Sequence, residues 1–303
     1  MDRIHFPYRS DTHLPFLHVV AESGSWEKYG LQVEYDYFIS SDDAHTSVAS
    51  GSVEFVGGNH ISTYAKRSRG DRWIYLAQTV STFNHRLVVK PDSGISKLPD
   101  LKGKVLGSGG EHPALNNWLY IRQNGLEGEV ELRRIGDEKD LWKAVRDGRV
   151  DAAFVLPPSD IFARRAGLKV IEVDYLPMVW FTTISSGLPF VEKHPDIVDR
   201  FLRGIIEGLA YFKTHPDEAI RIIQTKYKVE SDLDREAATH LYEELAKILA
   251  PKPYPTLKAI SNVYELAKKH DKAAEKIEPM ELWDFHYLRR IDDSGFIDQL
   301  YRG

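Results

Sequence analysis

Apolar residues along the chain follow two kinds of spacing, and the spacing changes near residue 190. Before that point, short runs of β-branched and aromatic residues alternate with segments in which apolar residues recur every three or four positions. After it only the helical spacing continues, and Pro195, Pro216 and Pro279 stand at predicted helix starts, where a missing N–H costs nothing. The chain is therefore predicted to alternate strands with helices and then to end in a helical region.

The individual elements follow from this spacing. The predicted strands are 3–8, 33–38, 53–57, 74–80, 86–90, 104–107, 130–134, 151–155, 169–173 and 178–184. The predicted helices are 13–29, 42–50, 60–68, 112–124, 138–147, 158–166, 195–214, 216–227, 231–249, 255–269 and 279–291. Alternation of this kind is typical of parallel sheets with right-handed crossovers.

A weak internal repeat divides the first part of the chain. The segments 47–54 (SVASGSVE) and 144–151 (AVRDGRVD) are similar, and their glycines, Gly51 and Gly148, lie 97 positions apart. In each copy the glycine follows a predicted helix, where it supplies the left-handed residue that ends the helix, and precedes a predicted buried strand. Two similar units predict two lobes.

The repeat also predicts how the chain is divided between these lobes. The predicted first lobe comprises residues 1–83 and 184–303, with the second part mostly helical, and the predicted second lobe comprises residues 84–183. The chain is expected to cross between the lobes at Gln78–His85 and again at Phe181–Ser186. A double crossing predicts a hinge that closes around a ligand.

Composition and charge exclude several classes of protein. The 303 residues carry a net charge of −5, which argues against a nucleic-acid partner, and no apolar run is long enough for a membrane span. The chain contains no cysteine, so disulfides, thiolate ligands and a cysteine nucleophile are excluded. Because Met1-Asp2-Arg3 does not resemble an export signal, the protein is predicted to be cytoplasmic, with an exported protein as the alternative if the N-terminus was trimmed.

Four stretches resemble the nitrate/sulfonate/taurine and thiamine-pyrimidine binding protein family. Residues 13–35 resemble its first helix and the Gly-Leu-x-Val-Glu strand, and residues 47–70 resemble its second helix, glycine turn, strand and third helix. Residues 87–107, with Asp92-Ser-Gly-Ile and Asp100-Leu-Lys-Gly-Lys, give the most specific match. Residues 189–219 resemble paired helices that start at His-Pro steps.

The resemblance implies a fold and a function. The implied fold is an α/β, two-lobed, periplasmic-binding-protein-like (type II) clamshell with a helical C-terminal extension. The implied function is that of a substrate-binding protein of ABC transporter type, which binds a small anionic or aromatic-polar molecule between its lobes and, if exported, delivers it to an ABC permease. The cysteine-rich motif of the yeast-type pyrimidine synthases is missing, so their chemistry is not carried over.

Ligand-binding residues are expected beyond the carboxyl ends of the strands, where free N–H groups at helix starts favour anions. Alternatives remain open for some of them, since Ser40 could act purely as a helix N-cap, Gly109-Gly110 as a tight turn and Trp180 as a core residue. The predicted ligand-binding residues are Thr12, His13, Ser40, Asn59, His60, Ser108, Gly109, Gly110, Glu111, His112 and Trp180.

An enzyme on the same scaffold is the alternative function. Glu111 and His112 would then act as an acid/base pair in a lyase, decarboxylase or hydrolase. No cofactor is predicted, although His13, His60, His112 and Glu111 are residue types that bind zinc or iron. The chain lacks a Walker loop, a dinucleotide-binding fingerprint and a nucleophile elbow, which argues against an NTPase, a dehydrogenase and an α/β-hydrolase. The sequence leaves open whether the protein is another kind of enzyme.

Overall fold

The computed structural model describes residues 1–58, 62–109, 115–136, 141–179, 182–227 and 233–302. The chain forms two compact units. Unit 1 comprises Met1–Thr82, Pro177–Arg235 and Leu245–Gly303, and unit 2 comprises Phe83–Leu176 and Glu236–Glu244. The lobe boundaries drawn from the sequence, at residues 83 and 183, stay predictions.

Unit 1 combines short strands with most of the helices. Its strands are β1 (Asp2–His5), β2 (Leu31–Glu34), β3 (Phe55–Gly57), β4 (Trp73–Gln78) and β12 (Thr183–Gly187), while β5 (Thr82–Phe83) and β11 (Leu176–Pro177) each contain a unit boundary. Its helices are α1 (Leu14–Glu22), α2 (Ser41–Ser50), α3 (Ser62–Ser68), α7 (Leu188–Lys193), α8 (Pro195–Thr214), α9 (Pro216–Lys226), α11 (Leu257–His270), α12 (His286–Asp293) and α13 (Phe296–Gln299).

The strands of unit 1 form two sheets with different pairing. β1 pairs with β2 in parallel, as expected for a strand–helix–strand unit. β12 lies between β3 and β4 and is antiparallel to both. The expectation of parallel sheets is therefore wrong for β12, because this strand follows its neighbours by about a hundred residues and the local pattern cannot specify its direction.

Two glycines of α8 pack closely on α1 and on Trp26, which follows α1 in the chain. A Cβ atom at Gly204 would lie 2.4 Å from Cδ1 of Trp26, and one at Gly208 would lie 2.7 Å from Cγ1 of Val20. Trp26 stacks on Phe201 with 5.8 Å between the ring centroids. Because Gly204 and Gly208 have no side chain, the backbone of α8 can lie directly against Trp26 and Val20. This packing connects the C-terminal helices to the first helix of unit 1.

Unit 2 contains one five-stranded mixed sheet. Its strands β6 (Arg86–Val89), β7 (Val105–Gly109), β8 (Glu131–Gly136), β9 (Ala152–Val155) and β10 (Lys169–Glu172) lie in the order β10-β6-β9-β7-β8. β7 runs parallel to β8 and β9, whereas β6 is antiparallel to β9 and β10. The helices of unit 2 are α4 (Leu115–Gln123), α5 (Leu141–Arg146) and α6 (Ser159–Arg165).

Helix α10 (Arg235–Ile248) completes unit 2 with its middle residues. Glu244 of α10 accepts a hydrogen bond from Nη2 of Arg86 at 2.7 Å, and Nε2 of His240 lies 2.8 Å from Oδ2 of Asp160. Asp160 is fully buried. Unit 2 therefore has an ion pair and a hydrogen-bonded carboxylate in its interior besides its apolar core. Within the described residues, every helix is too short or too polar to cross a membrane.

Candidate functional site

The predicted ligand-binding residues divide into three groups. Thr12, His13 and Ser40 lie in unit 1, and Ser108 and Gly109 lie in unit 2. The others fall outside the described residues: Asn59, His60, Gly110, Glu111, His112 and Trp180.

The loop after β1 leads into a short 3-10 helix, Asp11–His13, that precedes α1. Ser10 caps this helix: its Oγ accepts the N–H of Thr12 at 3.5 Å and lies 2.8 Å from the hydroxyl of Thr12. This short cap fixes the loop and places His13 at its end.

His13 is buried in unit 1 and is uncharged at neutral pH. Its Nδ1 accepts a hydrogen bond from the backbone N–H of Thr182 at 3.3 Å, so Nε2 carries the ring proton. Burial, together with the positive charge of Arg9, lowers the pKa of His13 to about 3. His13 therefore acts as a neutral hydrogen-bonding group rather than as a cation.

The backbone around His13 adopts unusual conformations. Thr182 has a φ of 45°, and among the described residues it is the one non-glycine residue with a positive φ. Gly58, with a φ of 103°, approaches so closely that a Cβ there would lie 2.9 Å from Cε1 of His13. Such conformations cluster at ligand sites, where the surrounding structure holds them in place.

Sequence reasoning missed two residues beside this loop, Arg9 and His45. His45 lies on α2 with 1% of its surface exposed, and its ring packs edge-on against Trp73 at 4.5 Å. Burial lowers the pKa of His45 well below its usual value, and the positive charges of Arg9 and Lys66 lower it further. The charge of Arg9 thus acts on both buried imidazoles.

A sequence signal existed for Arg9 but hardly for His45. Arg9 directly precedes the loop of Ser10, Thr12 and His13, which the sequence places at the carboxyl end of a strand. His45 occupies an inward-facing position in α2, one residue after the buried Ala44. A histidine in the middle of a helix does not indicate which side chains of other elements surround it.

Ser40 acts as the N-cap of α2. Its Oγ accepts the N–H of Asp43 at 3.1 Å and donates to Oδ2 of Asp43 at 2.7 Å. This is the capping role that the sequence left open for Ser40. A contact between Ser40 and a ligand stays a prediction.

In unit 2, Ser108 and Gly109 end β7 at its carboxyl edge. The pairing of β7 with β8 is irregular between these two residues, and Ser108 is buried. Asn117 of α4 donates from Nδ2 to the carbonyl of Gly107 at 3.0 Å and so ties α4 to this strand.

A carboxylate not predicted from the sequence lies at the start of α6. Asp160 follows the carboxyl end of β9, and its Oδ1 is buried with no hydrogen bond within the described part of the chain. Burial alone would raise the pKa of Asp160, but the hydrogen bond from His240 and the charges of His240, Arg164 and Arg86 outweigh it and lower the pKa. Asp160 is therefore ionised at neutral pH.

Metal coordination has no support in the part of the chain that the structure describes. There, no group of three or more histidine, aspartate or glutamate residues could hold a metal ion. Of the four residues considered as zinc or iron ligands, His60, Glu111 and His112 lie outside the described residues.

The fold defines the class to which the protein belongs. Its α/β units, with helix starts beyond the carboxyl ends of parallel strands and a helical C-terminal part, are those of a periplasmic-binding-protein fold. A solved structure titled as a periplasmic sulfonate-binding protein SsuA of an ABC transporter, from Methylobacillus flagellatus KT, matches 100% of this chain and 96% of that one. The TM-score is 0.75 at 15% sequence identity.

Sequence comparison identifies the family. Residues 12–219, more than half of the chain, match the family model described as NMT1/THI5 like, and the protein belongs to this family. A protein of Bacillus subtilis named as an aliphatic sulfonates-binding protein is 24% identical over 74% of this chain and 69% of its own. The formylaminopyrimidine-binding protein of Halalkalibacterium halodurans is 20% identical over 76% of this chain and 73% of its own.

These comparisons bear on several predictions. The resemblance to the nitrate/sulfonate/taurine and thiamine-pyrimidine binding proteins and the α/β fold class with its helical C-terminal part are confirmed. The prediction of a cytoplasmic protein has no support among the relatives, because the M. flagellatus protein is titled as periplasmic.

Proposed function

We propose that the protein is a solute-binding protein and that the loop around Arg9 in unit 1 binds the charged group of a small organic anion. One observation carries the proposal: the positive charge of Arg9 acts on two buried imidazoles, His13 and His45. Both imidazoles are neutral because of burial and of this charge. Arg9 therefore contributes a positive charge near two uncharged imidazoles, those of His13 and His45.

The chemistry of these groups suits a carboxylate or a sulfonate. A guanidinium presents a planar fork of N–H donors that can bind two oxygens of an oxyanion at once. Arg9 is partly exposed as a residue, while its Nε and Nη1 atoms are buried. The 3-10 helix after Arg9 and the cap formed by Ser10 and Thr12 hold the loop in place, which limits the entropy lost on binding.

The named ligand of one relative agrees with this solute class. The B. subtilis relative is named for aliphatic sulfonates and the H. halodurans relative for a formylaminopyrimidine. Sulfonates match the Arg9 loop directly because they are oxyanions. The relatives are named as binding proteins, which favours solute binding over the enzyme alternative with Glu111 and His112.

The same reasoning extends to partner and location. The M. flagellatus protein is titled as part of a sulfonate ABC transporter and as periplasmic. An exported protein that delivers its solute to an ABC permease is therefore the assignment that agrees with the family, and it replaces the cytoplasmic prediction.

Isothermal titration calorimetry with a panel of short alkanesulfonates, carboxylates and formylaminopyrimidine tests the proposal. At least one oxyanion should bind, and Arg9→Gln should weaken its binding about 10- to 150-fold, which is the worth of a hydrogen bond to a charged group. Arg3→Gln is the matched control, because Arg3 is exposed and pairs with Glu34. If no oxyanion binds, or if Arg9→Gln binds as tightly as the wild type, the proposal is wrong.

A further inference from the structure

Two neighbouring buried nitrogen atoms in unit 1, on His45 and Trp73, have no hydrogen-bond partner among the residues that the structure describes. His45 and Trp73 have 1% and 0% of their surface exposed, and Nε2 of His45 and Nε1 of Trp73 find no partner within the described residues. Their rings lie 4.5 Å apart between centroids, at 61° to each other. Buried polar groups in native proteins are nearly always hydrogen-bonded, so a pair of neighbouring exceptions points to a group that binds there.

The surroundings of this pair are aromatic. Tyr75, two residues along β4 from Trp73, lies 4.7 Å from Trp73 and 5.9 Å from His45 between ring centroids. The hydroxyl of Tyr75 already donates to Oγ1 of Thr63 at 3.0 Å. Tyr75 therefore already has a partner for its hydroxyl, and the available hydrogen bonds come from His45 and Trp73.

The chemistry of the two nitrogens defines the group that they can bind. An indole N–H is purely a donor, so the group must present an acceptor to Trp73. A neutral imidazole can carry its proton on Nε2 and donate to the same acceptor. The positive charges of Arg9 and Lys66 that act on His45 favour an electron-rich acceptor over a donor.

We infer that His45 and Trp73 form a buried subsite that binds one oxygen of the solute while Arg9 binds another. This inference rests on the proposed function and narrows it: the solute is an oxyanion, a sulfonate or a carboxylate, with at least two acceptor oxygens on the group that enters unit 1.

Binding of ethanesulfonate and of propanoate to the wild type, His45→Phe, Trp73→Phe and Arg9→Gln tests the subsite. The phenylalanine variants keep an aromatic ring but remove the nitrogen, so each should weaken binding of the oxyanion about 10-fold or more. His215→Phe is the matched control, because His215 is exposed and should bind as the wild type does. The melting temperature of each variant checks that it is folded.

Nuclear magnetic resonance of the wild type provides a second measurement that does not depend on the variants folding. In ¹⁵N-labelled protein, the indole signal of Trp73 and the Nε2 signal of His45 should shift on addition of ethanesulfonate. The other tryptophans among the six in the chain serve as internal references. Unchanged signals during saturation with a bound oxyanion would overturn the subsite.

The outcomes separate the subsite from the proposed function. If the oxyanion binds, Arg9→Gln weakens it and the two phenylalanine variants bind as the wild type does, the subsite is wrong and the proposed function stands. That result would also mean that the two nitrogens bind water rather than the solute. If the wild type binds neither oxyanion, both the subsite and the proposed function are overturned.

Discussion

Arg86 and Glu244 form an ion pair in the interior of unit 2. Nη2 of Arg86 lies 2.7 Å from Oε2 of Glu244, and the two side chains are 6% and 3% exposed. Arg86 also donates from Nη1 to the carbonyl of Asn84 at 2.8 Å. The pair therefore ties residues 236–244 of α10 to the first strand of the sheet in unit 2.

Removing one partner of this pair should destabilise the protein strongly. Glu244→Ala should lower the free energy of unfolding by about 3–5 kcal/mol, because it leaves the guanidinium of Arg86 buried without its main counter-charge. Chemical denaturation followed by circular dichroism measures the change. The neighbouring Glu243 is exposed, so Glu243→Ala is the control and should stay within about 0.5 kcal/mol of the wild type. Equal effects of the two variants would contradict the prediction.

The contact between α8 and Trp26 should be sensitive to a single methyl group. Gly204→Ala places a Cβ 2.4 Å from Cδ1 of Trp26, a distance that real structures do not allow, so the helix or the indole must shift. The expected cost is about 1–3 kcal/mol of unfolding free energy, measured by denaturant titration.

A second glycine variant serves as the control for this experiment. Gly128 has a φ of 76° and no atom within 4 Å of an added Cβ, so Gly128→Ala reports the backbone cost alone, about 1–2 kcal/mol. Gly204 needs no positive φ, so its cost comes from the clash. A change in the fluorescence of Trp26 in Gly204→Ala but not in Gly128→Ala would identify that clash directly, and its absence would count against it.

The buried neutral state of His13 predicts a pH dependence of stability. The pKa of His13 is about 3 in the folded protein and about 6.5 in an unfolded chain, so between these values the unfolded chain binds a proton that the folded chain does not. The contribution of His13 to the free energy of unfolding is therefore fully present above about pH 6.5. It falls as the pH drops towards 3, by up to about 1.4 kcal/mol per pH unit.

The variant His13→Asn separates the contribution of His13 to the pH dependence of stability from the contribution of the carboxylates. His13→Asn cannot titrate but retains an acceptor for the N–H of Thr182, so its unfolding free energy should fall less steeply with decreasing pH. Denaturation midpoints from pH 7.5 to 4.5 give the slopes. His215→Gln, which removes an exposed histidine, is the control variant. The same slope in His13→Asn as in the wild type would show that His13 is not buried in the neutral form.

Lys213 should stabilise the end of α10. Its Nζ donates to the carbonyls of Ala246 at 2.6 Å and Leu249 at 3.0 Å, which have no partner within the helix, and burial lowers the pKa of Lys213. Lys213→Met keeps most of the side-chain length and should cost about 1–3 kcal/mol in denaturant titration. Lys193→Met, at an exposed position, is the matched control. Equal stability of the two variants would rule out a capping role.

The helices of the C-terminal half were predictable because their signals are local. Pro195 and Pro216 stand at the first residues of α8 and α9, as their missing N–H groups favour. The direction of β12 was not predictable, since its partners β3 and β4 precede it by about a hundred residues. The spacing of apolar residues along the chain predicts whether a segment is a helix or a strand. The pairing of a strand within a sheet depends on segments that are distant in the sequence.

The candidate site was predictable in position more than in detail. The loop of Thr12 and His13 was found because parallel strands end there. The neutral state of His13, however, depends on burial and on its bond to Thr182, which is 169 positions away. His45 was missed for the same reason, because its significance comes from Trp73 and Arg9 rather than from its own helix.

The central place of β12 in its sheet has a consequence for synthesis of the protein on the ribosome. Strands β3 and β4 are translated early, but the strand that joins them emerges about a hundred residues later, after all five strands of the sheet in unit 2. At translation rates of about 5–20 residues per second, the nascent chain presents two apolar strands without their shared neighbour for roughly 5–20 seconds. During that interval unit 2 can complete its sheet while β3 and β4 still expose unpaired edges, so this part of the nascent chain is where a chaperone would bind.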